Sequence, residues 1–302
     1  MKVLIAGANG QLGRALQQTA PAGVDIVAYD RGQLDITNAE AVAQTARKES
    51  PDSIINTAAY TAVDKAESEP ELAYAVNATG AENLARAAQA AGARFIHIST
   101  DFVFDGAQPR PYRPDDPVNP LCVYGASKAE GEARVRAILG DDALIVRTSW
   151  VYARQGGNFV NTMLRLMQTK PALTVVTDQV GTPTWAVSLA KFLWHAPDYP
   201  NINGTHHYTD AGIASWYDFA VAIQEEALVA GRLNKAVPIK PIASEDYPQV
   251  ARRPAFSVLD KRHTAGQFGT DLIHWRRALR QMLTEDLENS LRNDGQYEPK
   301  AR

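Results

Sequence analysis

Gly7-Ala8-Asn9-Gly10-Gln11-Leu12-Gly13 stands directly behind the apolar run Val3-Leu4-Ile5-Ala6, and the junction between them decides the fold. Four consecutive apolar residues followed by a glycine at every third position read as a buried strand turning into a helix. Glycines at such a turn let backbone amides approach a ligand closely, and the helix N-terminus behind them favours a pyrophosphate electrostatically. The spacing is G-x-x-G-x-x-G rather than G-x-G-x-x-G, and three glycines alone often mark only a tight strand-to-helix connection. Context strengthens the signal: Asp30 closes a second apolar run, Val24 to Tyr29, where a carboxylate can accept from adenosine ribose hydroxyls. Arg31 follows at once and could meet a 2'-phosphate instead, so the residues leave NAD(H) and NADP(H) both open.

Further apolar runs recur outward from this junction: Asp25 to Tyr29, Ser53 to Thr57, Arg94 to Ser99 and Ala143 to Thr148. Helically patterned segments at 11–18, 39–49 and 71–91 lie between them. This α/β alternation predicts a doubly wound parallel sheet of Rossmann type, with right-handed crossovers and helices on both faces. Residues 1–150 are read as a dinucleotide-binding domain, to which segments near 180–212 and 250–264 can return. Residues 151–302 are read as mainly a smaller C-terminal substrate-binding lobe, with a frayed tail from about Arg292. Pro109, Pro111, Pro114, Pro117 and Pro120 block helix and predict an extended loop that could cover a ligand.

With 302 residues, 45% of them hydrophobic, the chain can bury a substantial core. A net charge of −3 with both signs interspersed gives no footprint for nucleic acid or an anionic membrane. No apolar stretch approaches the ~20 residues of a transmembrane helix, and a cytoplasmic location is expected. Cys122 is the only cysteine, which excludes an internal disulfide and a cysteine redox pair. The histidines are scattered, and His206 and His207 should point to opposite faces of a strand, so no metal site is expected. A homodimer through surface helices is compatible with the sequence, though no residue stripe requires one.

Ligands of such sheets bind outside the carboxyl ends of the strands. Those ends carry the glycine turn, Asp30, Asn56-Thr-Ala-Ala-Tyr-Thr61 and Ser99-Thr-Asp101. Tyr124-Gly-Ala-Ser-Lys128 puts a phenol and an ammonium on one helix face. A tyrosine loses its proton near pH ~10, and a neighbouring cation would ease donation by stabilising the phenolate. Thr100 could hydrogen-bond a carbonyl oxygen as charge develops on it. Asp101 could accept from sugar hydroxyls or cap the next turn, and Asp35 could sit against adenine or serve as a turn residue. Asn77, inside the predicted helix 71–91, is awkwardly placed there and suggests a side chain bonding to backbone at the floor of the site.

These motifs together resemble the extended short-chain dehydrogenase/reductases. Four longer strings narrow the resemblance, over residues 1 to about 285, to the dTDP-4-dehydrorhamnose reductase family: Thr61-Ala-Val-Asp-Lys-Ala-Glu-Ser-Glu69, Arg147-Thr-Ser-Trp-Val-Tyr152, Asp178-Gln-Val-Gly-Thr-Pro-Thr184 and Ala251-Arg-Arg-Pro254. The resemblance implies reduction of the C4 ketone of a deoxysugar nucleotide, dTDP-4-dehydro-L-rhamnose, by NADPH or NADH. Carried over by position, Thr100 polarises the ketone, Tyr124 donates the proton, and Lys128 supports phenol and nicotinamide ribose. Gly7, Gly10, Gln11, Leu12 and Gly13 would lie along the pyrophosphate, with Asp30, Asp35 and Ile36 around the adenosine. Ala59, Tyr60 and Thr61 would sit near the nicotinamide half, Tyr60 through its main chain if its phenol points elsewhere. Asp101 and Trp150 would contact the sugar, the indole offering an apolar face. Arg252 and Arg253 would meet the diphosphate, since guanidinium forks match phosphate oxygens, or else anchor a turn before Pro254.

Three other readings compete. A dehydratase would need an acid/base beside Asp101, where Phe102 stands. An epimerase could use the same Thr, Tyr and Lys, but the Arg147 and Ala251 strings favour the reductase. A non-catalytic, dinucleotide-binding regulatory subunit would not need all three of Thr100, Tyr124 and Lys128.

Overall fold

A computed structural model of the chain describes residues 1–293. The central sheet has six strands, β1 (Lys2–Ala6), β2 (Asp25–Tyr29), β3 (Ser53–Asn56), β4 (Arg94–Thr100), β5 (Leu144–Thr148) and β6 (Gly204–His207). They lie in the order β2-β1-β3-β4-β5-β6 and are parallel throughout. The registers Ala6↔Tyr29, Ala6↔Asn56 and Thr100↔Thr148 align the carboxyl ends along one edge.

Alternation along β1 shows why helices cover both faces. Val3 and Ile5 pack with Leu12 and Leu16 of α1 (Gln11–Gln18), and Leu4 and Ala6 pack with Val42 of α2 (Ala39–Glu49), Leu84 of α3 (Gly80–Ala91) and Val135 of α4 (Val123–Leu139). These four β1 side chains are buried, Val3, Leu4 and Ile5 each contributing about 1.5–3 kcal/mol by leaving water. The sheet recruits chain beyond residue 150: Leu189 and Leu193 of α6 (Ala186–His195) join the α1 face, and β6 extends the edge beside β5. A separate core forms around Tyr152, Met163 of α5 (Phe159–Thr169), Trp185, Phe219 and Ile223 of α7 (Trp216–Val229), and Trp275, the first residue of α8 (Trp275–Asn293). Ser215 and Asp218 close a capping box that starts α7. His206 and His207 do face opposite ways, one towards Phe268 and the other towards Phe104.

Two expectations need correction. Residues 71–91 are not one regular helix: an α-turn at Pro70–Tyr74 runs into a π-helical turn, Ala75–Thr79, before α3 begins. Asn77 sits in the π turn with its side-chain amide in three hydrogen bonds, two to the Tyr60 backbone and one to Ser127. The proline-rich loop is not over the strand ends either, and none of residues 109–120 lines the cleft there. Tyr112 is buried and stacked on Phe104 at 4.1 Å; its N–H donates to the Val258 carbonyl at 2.8 Å and its carbonyl accepts from Asp260 N at 2.7 Å. The loop therefore pins segment 256–260. The expected frayed tail lies, beyond Asn293, outside the described residues. Among the described residues no helix is long and apolar enough to cross a membrane, and no group of three ligating side chains could hold a metal.

Candidate active site

The carboxyl ends of β1 to β5 open into a cleft of about 820 Å³. Gly7 holds φ at +91°, a left-handed conformation that favours glycine. Its carbonyl accepts from Gly10 N at 3.0 Å, closing the turn. A Cβ on Gly13 would lie 2.2 Å from the Gly7 carbonyl oxygen, and a Cβ on Gly7 would lie 2.7 Å from Ala58 N. The cradle is thus closed by backbone-on-backbone packing that leaves no room for a Cβ, and Gly13, behind the turn, does not itself line the cleft. Gly13→Ala is expected to distort the turn and weaken cofactor binding by at least about tenfold, a shift of 1.4 kcal/mol, as read by titration of cofactor fluorescence; unchanged affinity would refute the cradle.

Around this turn the cleft is lined by Gly7, Gly10, Gln11, Leu12, Asp30, Arg31, Asp35, Ile36 and the backbone at 57–61. Asp30 accepts from the amides of Gly32 (2.8 Å) and Gln33 (3.0 Å), and its other oxygen accepts from Asn9 Nδ2 at 2.6 Å. Asp35 is a turn aspartate as well as a lining residue: Oδ1 accepts from Thr37 N and Oγ1, and these bonds hold its carboxyl below the usual range. Ile36 is buried against Gly80. The Tyr60 phenol donates to Glu69 Oε2 at 2.7 Å, while Tyr60 N donates to Asn77 Oδ1 at 2.8 Å and Asn77 Nδ2 donates to the Tyr60 carbonyl at 3.1 Å. Tyr60 therefore meets the cleft with a fixed main chain. Asn77 also donates to Ser127 Oγ on α4 at 2.9 Å, so the π turn ties the 57–61 loop to the helix that bears Tyr124 and Lys128.

Tyr124, Lys128, Thr100 and Asp101 all reach this cleft. α4 comes close because Gly131 packs on the π turn, where a Cβ would be 2.2 Å from the Asn77 carbonyl oxygen. Burial pushes the Tyr124 phenol up to about 12, against the opposing pull of the Thr100 hydroxyl. The Lys128 ammonium donates to the Ile98 carbonyl at 2.6 Å, and in the structure burial sets the direction of the phenol's shift. Burial also brings Lys128 down to about 8, opposed by the Glu132 carboxylate one helical turn on. Thr100 Oγ1 donates to Asp101 Oδ1 at 3.1 Å and accepts from Phe102 N at 3.2 Å. Phe102 sits edge-on to Tyr124, with ring centroids 5.6 Å apart.

On the far wall Trp150 holds φ at +47°, and its indole stacks on Trp216 with centroids 3.5 Å apart and planes 6° from parallel. One indole face is therefore covered by Trp216 rather than open to a ligand. Trp216 and the loop residues Gly156, Gly157 and Asn158 line the cleft and were not foreseen. The glycine pair behind a strand end was a readable signal for the loop, whereas nothing in the spacing marked Trp216. Asn158 Nδ2 donates to Gln11 Oε1 at 2.8 Å, so this loop sits on the glycine turn. Arg253 lines the cleft, its guanidinium bonded to Asp64 (2.7 Å), Gln249 and the Ala251 carbonyl. Arg252 is exposed and does not line the cleft, the surface placement that had been the alternative for this pair.

The model of the RmlD substrate binding domain family matches residues 1–288. The chain belongs to this family. Among similar proteins, the dTDP-4-dehydrorhamnose reductase of Aggregatibacter actinomycetemcomitans is 42% identical over 286 residues, 92% of this chain and 97% of that protein. A crystal structure of a dTDP-4-dehydrorhamnose reductase from Clostridium acetobutylicum superposes with a TM-score of 0.88 at 43% identity, covering 96% of this chain and 100% of that one. The Bacillus anthracis dTDP-4-dehydrorhamnose reductase, solved in complex with NADP, superposes at 0.89 with 38% identity, covering 94% and 99%.

Proposed function

We propose that the chain is an NAD(P)H-dependent reductase that converts the C4 ketone of dTDP-4-dehydro-L-rhamnose to the alcohol of dTDP-L-rhamnose. The convergence of Thr100, Tyr124 and Lys128 on the cleft that the glycine turn opens carries this reading, and the names of the relatives support the substrate. A nicotinamide dinucleotide fits the residues present: the glycine turn that brings Gly7 and Gly10 to the cleft suits a pyrophosphate, and Asp30 with Arg31 lines the same cleft, where an adenosine ribose or its phosphate would be read. When bound, it supplies the hydride for C4.

The chain's own residues do the remainder. Tyr124 holds its proton firmly and gives it to the oxygen only as alkoxide character develops there. Lys128, buried and cationic, favours the negative charge that passes to the phenol oxygen. The second core, built around Trp185, Phe219 and Trp275, is proposed as the substrate lobe, since it delivers Trp216 against Trp150 and the 156–158 loop against Gln11. Arg253 is proposed to stand near the diphosphate.

Loss of reduced-nicotinamide absorbance with the deoxyketosugar nucleotide generated in place tests the assignment. Oxidation with formation of dTDP-L-rhamnose is expected; cofactor binding with no oxidation would refute the reductase. Gly181 presses on Trp150, where a Cβ would lie 2.7 Å from the indole. Gly181→Ala is therefore expected to raise KM for the sugar nucleotide severalfold and leave cofactor affinity unchanged, while an unaltered KM would remove Trp150 from the sugar site.

A further inference from the structure

Within the string from Thr61 to Glu69, Thr61 and Val63 line the cleft, while its three acids reach three different walls of it. Asp64 accepts from Ala251 N at 3.0 Å and from Arg253 at 2.7 Å, Glu69 accepts from the Tyr60 phenol at 2.7 Å, and Glu67 Oε1 accepts from Val123 N at 2.8 Å. Val123 is the first residue of α4 and Tyr124 the second. Resting on the reductase reading, we propose that Glu67 is a positioning residue for the proton donor: its carboxylate fixes the first turn of α4, and so where the Tyr124 phenol stands against the substrate ketone.

The start of α4 needs such a partner. A helix begins with N–H groups that its own backbone cannot serve, and Ser, Thr, Asp or Asn in the preceding position usually meets one of them. Here Cys122 holds that position, and its sulfur, a weak acceptor, takes Gly125 N at 3.5 Å. The strong acceptor comes instead from Glu67, 56 residues earlier in the chain. A carboxylate also suits the positive end of the helix dipole. The other flank of the turn is set by close packing: a Cβ on Gly125 would lie 2.2 Å from the Phe102 carbonyl oxygen, and the Phe102 ring is edge-on to Tyr124. The Tyr124 turn is therefore held between the end of β4 and Glu67.

Glu67 can serve as a fixed point because its neighbours are tied down. Ala66 is buried, its N–H donates to the Ala62 carbonyl at 2.9 Å, and Glu69 N donates to the Lys65 carbonyl at 3.0 Å. Asp64 and Glu69, on either side of Glu67, bond to Arg253 and to the 57–61 loop, both of which line the cleft. One short segment thus sets the spacing of the Tyr124 turn, the 57–61 loop and Arg253. Proton transfer feels that spacing most, since a displacement of about 1 Å at the reacting atoms can cost about 10²-fold. No proton passes through Glu67; the proton reaching the sugar is Tyr124's.

The test compares Glu67→Ala and Glu67→Gln with wild type, using the reduced cofactor and the deoxyketosugar nucleotide generated in place. Glutamine keeps an oxygen that can accept from Val123 N, and alanine has none. Glu67→Ala is expected to lose about 10–100-fold in kcat. Its KM for the sugar nucleotide and its cofactor affinity should stay within about twofold of wild type, and its solvent deuterium isotope effect on kcat should rise, because transfer from Tyr124 becomes the slower step. Glu67→Gln is expected to regain most of the loss. Three results would each overturn the proposal while wild-type turnover keeps the reductase reading intact: an unchanged kcat in Glu67→Ala, a loss shared by KM and cofactor affinity without a larger isotope effect, or a glutamine variant as poor as the alanine one. Absence of turnover in wild type would sink that reading and this proposal with it. Should Glu67→Ala fail to fold, Glu67→Asp takes its place: it shortens the side chain by one methylene, which draws the oxygen back from Val123 N, and the same loss and the same rise in isotope effect are expected.

Discussion

Tyr124→Phe is expected to bind the reduced cofactor as wild type does and to lose about 10²–10⁴-fold in turnover, the usual range for removing a positioned acid. At about 1.4 kcal/mol per tenfold, this is roughly 3–5 kcal/mol of transition-state stabilisation. The substitution deletes one oxygen and keeps the ring that packs edge-on to Phe102. A single hydroxyl's hydrogen bond is worth about 0.5–1.5 kcal/mol to stability, too little for its loss to unfold the chain or disturb the glycine turn. Because burial holds the phenol near 12, its proton stays in place across the physiological range until an alkoxide, which is more basic, forms beside it. A loss confined to kcat in single-turnover experiments, with cofactor affinity unaltered, is the signature of a transition-state group. Turnover within a few-fold of wild type would remove Tyr124 as the donor.

The part of the site legible in the sequence is the part written in local patterns. β1 and the glycine turn are contiguous, and periodicity alone places them at a sheet edge. Tyr124 and Lys128 share a helix face by their four-residue spacing. Asn77 was readable as an anomaly, a polar side chain in a helical stretch, but its three partners at Tyr60 and Ser127 come from elements 17 and 50 residues away. Burial was not legible. The phenol's position relative to Lys128 depends on where the Ile98 carbonyl lies, and that is set by α4 packing on β4. The covered face of Trp150 escaped for the same reason, since Trp216 belongs to another element of the second core. The proline-rich loop was correctly extended, yet nothing local told that Tyr112 would anchor it to segment 256–260.

The string beginning at Arg147 marks the family resemblance, and the structure gives it a mechanical reason. Arg147 and Glu132 are 2% and 1% exposed, joined by Nε–Oε1 at 2.8 Å and Nη2–Oε2 at 2.7 Å. Arg136 adds a bond to Oε2 at 2.7 Å, and Arg147 Nη1 donates to the Pro114 carbonyl at 3.1 Å. One guanidinium thus ties β5 to α4 and to the proline-rich loop, one helical turn from Lys128. Burial alone would raise Glu132; the Arg147 charge and hydrogen bonds outweigh it and hold the carboxyl at about 2. Arg147→Met is expected to cost about 3–5 kcal/mol, the usual penalty for stranding one partner of a buried pair. Replacing both, with Glu132→Met added, should recover part of that loss, because neither partner of the pair is then stranded, while the buried Lys128 ammonium, which loses the nearby Glu132 carboxylate, limits the recovery.

The pH dependence has a definite sign. A carboxyl whose folded value is depressed stabilises the fold above its unfolded value, near ~4.3, and that stability is lost as pH falls through the folded value. Wild type should therefore lose the Glu132 contribution between about pH 4.5 and 2, and Arg147→Met should lose much of that slope along with its midpoint. Urea unfolding at pH 7 and at steps down to about pH 2.5 for wild type, the single variant and the double variant measures both effects. A single variant within about 1 kcal/mol of wild type would assign the bridge to the level of an exposed ion pair and remove it as the clamp that steadies the Lys128 helix.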